Sequence, residues 1–174
     1  MAVAFAGALL LGALSTLYDL IWALWIPRHR AVYGLVHGMT LLSAVGGVLG
    51  WRVGRMVTGL AGGALAGLIA AGSFYVLYGG LGYLGAMVAA WMLLWLLFAV
   101  LDFRLSGRRR GLGEVVARGL AAAVLSGVAF WLISGIWTAH PPGGPNYAWN
   151  FACWTFAFFP GFAALLMPRR AGEA

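Results

Sequence analysis

Long apolar runs occupy most of this chain, and polar side chains interrupt them at only a few positions. A helix needs about 20 apolar residues to cross roughly 30 Å of hydrocarbon. On that measure the pattern predicts six spans, over residues 3–25, 32–51, 56–78, 82–101, 114–137 and 147–167. It implies an all-α, polytopic membrane protein: six transmembrane helices in one compact bundle that forms a single domain over 1–174. The connections are short, the longest being Asp102–Gly113, so sequential helices are expected to lie antiparallel and adjacent.

The interruptions are specific. Ser15, Thr16 and Asp19 alone break the first span, and Pro27 ends it because proline lacks an amide donor and its ring excludes a continuing helix. Tyr33 and Trp51 bracket the second span as interfacial aromatics. Gly46, Gly50 and Gly54 form one row with a period of four, and Gly59, Gly63 and Gly67 form another. Such rows share a helix face and let two backbones approach closely. They are expected to serve static packing of the second and third spans, or else a moving or oligomeric interface. The segment His140–Asn146 is too proline-rich for helix and is expected as a turn outside the membrane. Pro160-Gly161 predicts a kink in the last span. No repeat relates the two halves, so an inverted-repeat transporter is not supported.

Charge changes the picture by giving a topology. Fifteen residues are charged, eleven of them Arg and none Lys, for a net charge of +7. The Arg residues gather at span ends: Arg52 and Arg55; Arg104, Arg108, Arg109, Arg110 and Arg118; Arg169 and Arg170. With both termini cytoplasmic all of these fall inside, in line with the positive-inside rule, and only Arg28 and Arg30 fall outside. The positive charge is thus read as topology, with no nucleic-acid partner expected. The first apolar run lacks a basic leader and is read as a retained helix. A single Cys153 excludes an intrachain disulfide. The Ala-, Gly- and Arg-rich, Lys-free composition suggests a high-GC bacterium and its inner membrane.

Candidate chemistry is sparse. Asp19 lies about two turns from the end of the first span, beside Tyr18 and Trp22, and a carboxylate in hydrocarbon needs a partner inside the bundle. The expected partners are His37, Arg28 or Arg30. The group is either a ligand-contact or proton-handling site or a structural tie. Asn146 and Asn150 lie one turn apart at the start of the last span, with Trp154 on the same face. Asn146 is expected as an N-cap, and Asn150 as interhelical glue or a contact to a ligand's polar end. Nine Trp residues suit packing, the interfacial belt or the walls of an apolar cavity. No metal is expected, since His29, His37 and His140 are scattered and Cys153 is alone. No nucleophile stands with a His and an acid, no carboxylates pair and no phosphate-cradling loop occurs, so no catalytic residue and no enzyme activity are expected. No filter-like loop suggests a channel.

The C-terminal half resembles the Insig (insulin-induced gene) family of membrane proteins. An aromatic-rich fourth span runs into FAVLDFRLSGRRRGLG, Phe98–Gly113, which is similar to that family's loop between spans four and five at Asp102, Arg104, Ser106, Gly107, Gly111, Leu112 and Gly113. The last span, with Trp154, Phe158, Phe159 and Gly161 before a basic tail, extends the likeness to about 75 residues. This loop carries extra Arg residues, TLYDLIWALWIP in the first half matches only loosely, and the family's long first luminal loop is missing. The resemblance implies a non-enzymatic bundle with a central, lipid-accessible cavity, an oxysterol-type ligand and a sterol-sensing membrane-protein partner, which Asp102 would contact. A bacterial source points to a diacylglycerol-like lipid instead.

The resulting expectation is a lipid- or sterol-binding regulatory protein that needs no cofactor beyond bound lipid. Tyr18, Asp19, Trp22, His37, Asn150 and Trp154 would hold the ligand's polar end. Asp102, Arg104, Arg108, Arg109 and Arg110 would meet a partner or lipid headgroups. Two alternatives are a small transporter or proton-coupled permease using Asp19 and His37, and a scaffold subunit of a larger membrane complex. A homo-oligomer is compatible with each.

Overall fold

The computed structural model describes residues 1–25, 30–107, 111–137 and 146–166; the side chains of 22–25, 30, 31, 33 and 134–137 also lie outside the description. Within these residues the chain is all-helical: α1 (Ala2–Trp25), α2 (Arg30–Trp51), α3 (Met56–Leu105), α4 (Leu112–Trp137) and α5 (Tyr147–Leu166). All five are long and apolar enough to cross a membrane.

The third and fourth expected spans fall within one element. Straight, the 50 residues of α3 would measure about 75 Å, more than twice the hydrocarbon thickness. The element is not straight. Gly82 takes φ 67° and ψ 179°, a left-handed-side conformation that costs glycine least. Gly62 meets the side chain of Leu101, although 39 residues of helix would hold them apart. The two halves of α3, 56–81 and 83–105, therefore fold back on each other.

Backbone contact between glycines sets the first seam. Gly38, Gly46 and Gly50 of α2 face Gly67, Gly63 and Gly59 of α3 in antiparallel register. A Cβ on Gly46 would lie 2.7 Å from the Gly63 Cα, and one on Gly50 would lie 2.9 Å from the Gly59 Cα. Gly54, expected in this row, instead makes the turn. Its φ is 70°, its N–H donates to Trp51 O at 3.1 Å, and the Arg55 N–H donates to Gly50 O at 2.8 Å. That pair of bonds is a Schellman cap, which closes α2 and starts α3 within four residues. Gly38 takes the vacant place in the row.

The remaining seams follow around the bundle. The second half of α3 packs on α4, where a Cβ on Gly119 would lie 2.8 Å from the Ala99 Cβ. Ser126 of α4 donates to Ala157 O of α5 at 2.6 Å. Gly7 of α1 admits the Phe162 ring of α5. At the centre, Trp95, Phe98, Phe130, Phe158 and Phe162 are buried and meet largely edge-on or tilted, and Gly161 leaves room for the Trp95 indole. α5 continues through Pro160. Contrary to the expectation of sequential neighbours, α1 packs chiefly on α5 and only lightly on α2. The order around the bundle is thus α2, the two halves of α3, α4, α5 and α1, and the α1–α2 seam is left incompletely filled.

The glycine seam makes a direct prediction. Gly63→Ala puts a methyl against the Leu42 carbonyl and the Gly46 Cα and should destabilise the fold by about 1–3 kcal/mol. Gly72→Ala, with nothing within 4 Å, should be neutral or stabilising by up to about 1 kcal/mol. Unfolding by denaturing detergent, followed by circular dichroism, separates the two.

Candidate ligand-binding site

The polar interruptions of three helices converge at one end of the bundle. The Tyr18 hydroxyl of α1 donates to Thr40 Oγ1 of α2 at 2.6 Å. Thr40 Oγ1 donates in turn to Val36 O at 2.7 Å. The His37 ring lies against the Tyr18 ring, centroids 4.7 Å apart and planes tilted by 32°. One residue on, Asp19 accepts the indole N–H of Trp154, from α5, at 2.7 Å. Tyr83, just past the Gly82 break, lies within electrostatic reach of the Asp19 carboxylate. Buried polar groups keep their place in hydrocarbon only when partnered, and these groups largely partner one another.

Of the expected site residues, Tyr18, Asp19, His37 and Trp154 are brought together. Asp19 finds Trp154, and His37 packs on Tyr18. Arg28 is outside the described residues, as are the side chains of Arg30 and Trp22. Asn150 is half-buried on α5, one turn before Trp154. Asn146 is the N-cap: its Oδ1 accepts the Trp149 N–H at 3.0 Å.

Behind Trp154 the aromatic residues form a packed wall. The Trp91 ring stacks on Phe130 at 4.7 Å and leans on Phe158 at 4.9 Å and Trp154 at 6.0 Å. Its indole N–H donates to Ser126 Oγ at 2.8 Å. The sequence reading missed Ser126 and Thr40. The available signal was one hydroxyl alone in an apolar run and one placed a turn after His37.

A groove lies toward the opposite end of α1. It has a volume of about 560 Å³ and runs between α1, α2 and the start of α3. Its walls are Ala2, Val3, Ala6, Gly7 and Leu10 on one side, and Ala44, Gly47, Val48, Trp51, Met56 and Leu60 on the other. None of the expected ligand contacts lines it. Small side chains on α1 and α2 leave the gap, and Trp51 and Met56 stand at the end where the chain turns from α2 to α3.

Asp102 does not stand in an exposed loop. It is 1% exposed in the last turn of α3 and forms an ion pair with Arg52, which ties the end of α2 to the end of α3. The partner contact that the Insig resemblance gives this residue requires an accessible carboxylate, and burial removes that access. Arg104 is exposed in the last turn of α3, whereas Arg108, Arg109 and Arg110 lie outside the described residues. Among the described residues no three His, Cys, Asp or Glu side chains gather as a metal site would require.

No protein-family model, no curated protein and no solved structure matches this chain.

The Asp19–Trp154 bond should matter as a clasp between α1 and α5. Trp154→Phe keeps the ring contacts and removes the donor, and should lower stability by about 1–3 kcal/mol, the cost of stranding a buried acceptor. Thermal unfolding of purified protein in mild detergent measures it. An unchanged midpoint would show that the bond does not hold the two helices together.

Proposed function

We propose that this protein is a non-enzymatic, multi-pass membrane protein that holds a hydrocarbon chain of a membrane lipid in the groove between α1 and α2. The groove itself carries the reading. Its volume falls within the roughly 300–1,000 Å³ of typical ligand sites, and its walls are apolar throughout. In a bilayer such a space is filled by the chains that already surround the protein. A bound lipid would fill the seam that the helices leave open, which suits a sensing or regulatory role.

The same proposal takes α3 as two crossings that turn at Gly82, giving six in all with both termini on one side. The described Arg52, Arg55, Arg104 and Arg118 then share that side, which the positive-inside rule makes cytoplasmic. The polar cluster around Asp19 is better read as the closed end of the bundle than as the ligand's polar subsite. Its hydrogen bonds join α1 to α2 and to α5, and the groove lies two turns or more away along α1. The permease alternative needs Asp19 and His37 presented to a passage. Their engagement with Trp154 and Tyr18 gives that alternative less support.

Lipid titration tests the proposal. Adding a dioleoyl lipid to delipidated protein should raise its unfolding midpoint, by about 3 kcal/mol of stabilisation at a hundredfold excess over Kd. Ala6→Trp fills the groove from an exposed position on its wall and should remove that gain while leaving the lipid-free midpoint nearly unchanged. A wild-type midpoint that does not respond to lipid, or an equal response in Ala6→Trp, would refute the proposal.

A further inference from the structure

We infer that the groove selects an anionic glycerophospholipid, seating one acyl chain between α1 and α2 and placing the headgroup phosphate on Arg55. The inference rests on the lipid-binding reading above and specifies the headgroup.

The groove lining runs to the ends of helices on one side only, at Ala2 of α1 and the turn between α2 and α3. Trp51 and Met56 line it there, and these residues flank the turn between α2 and α3. Trp51 is 64% exposed, as an indole at the headgroup level should be. The other end stops at Leu10 and Ala44, one turn short of Thr40 and two short of Tyr18, where the hydrogen bond between those residues closes the seam. A lipid chain can therefore enter in one polarity, with its tail toward the Tyr18–Thr40 bond and its headgroup beside Trp51 and Met56.

Charge at that mouth decides which headgroup fits. Arg52 follows Trp51, but its guanidinium is turned inward onto Asp102, so the pair is neutral. Arg55 precedes Met56 and is exposed. It occupies the N-cap position of α3 without a side-chain capping bond, and among the described residues no acid pairs with it. Among side chains it is the uncompensated cation nearest in the chain to a residue of the groove wall. Its side is also the Arg-rich side of the protein, which attracts anionic lipid by about 1 kcal/mol per basic residue near the surface. A planar guanidinium can take two phosphate oxygens at once, so the phosphate is both attracted and oriented. A neutral diglyceride would fill the groove equally well and leave Arg55 unused.

The test compares dioleoyl phosphatidylglycerol, dioleoyl phosphatidylcholine and dioleoylglycerol on the full chain in mild detergent, by native mass spectrometry and thermal shift. Phosphatidylglycerol should bind at least about fivefold more tightly than the other two, which is roughly 1 kcal/mol at 0.59 kcal/mol per unit of RT. Arg55→Gln should weaken phosphatidylglycerol most, weaken phosphatidylcholine less and leave dioleoylglycerol, which has no phosphate, unchanged, so that the preference for phosphatidylglycerol is lost; Arg55→Lys should restore most of it. Equal binding of all three lipids by the wild type, or a preference that survives Arg55→Gln, would overturn the headgroup assignment and leave the groove reading standing. Retained binding of every lipid by Ala6→Trp would instead remove the groove reading on which it rests.

Discussion

Hydrocarbon solvates leucine as well as another leucine does, so helices in a bilayer stay together where their backbones approach more closely than lipid can insert. In this protein the glycine seam between α2 and the first half of α3 meets that requirement. Gly38, Gly46 and Gly50 on one side, and Gly59, Gly63 and Gly67 on the other, bring backbone onto backbone over about three helical turns. The Gly54 turn delivers α3 into this register, and the buried Arg52–Asp102 pair fixes the far end of α3 against the same corner. With these contacts in place α3 returns at Gly82, and its second half becomes the wall on which α4 and α5 pack. The aromatic core follows from that placement.

One consequence is that α1 is held mainly by α5. Its contact with α2 is concentrated where Tyr18 bonds Thr40 and His37 packs on Tyr18. Elsewhere along the seam the facing residues are small, and the groove remains. The two ends of the α1–α2 seam therefore differ in kind. One is closed by the Tyr18–Thr40 hydrogen bond. The other is open, apolar and bordered by arginine. A lipid filling the open end would complete a helix–helix interface that α1 and α2 leave unfilled.

Much of this architecture was legible in the sequence because length and hydropathy are local properties. The apolar runs located the helices, and the four-residue glycine period located the seam. Other features depended on distant parts of the chain. Asp19 was recognisable as a carboxylate in need of a partner, but Trp154 lies 135 residues away and only the α1–α5 packing unites them. Gly54 fits the glycine period as well as Gly38 does, and only the backbone turn separates their roles. Asp102 was expected at the start of a connection, as a partner contact, yet it pairs with Arg52, 50 residues earlier in the chain. The groove was least legible of all, since it is defined by what two helices fail to fill. The expected polar contacts clustered on real neighbours but at the opposite end of the seam.

A high-resolution structure of the protein in lipid tests the central claim most directly. The account predicts an elongated, chain-shaped density between Ala6 and Ala44, ending in a headgroup beside Trp51 and Arg55. A groove closed by α1 packed directly on α2, with no lipid between them, would contradict it.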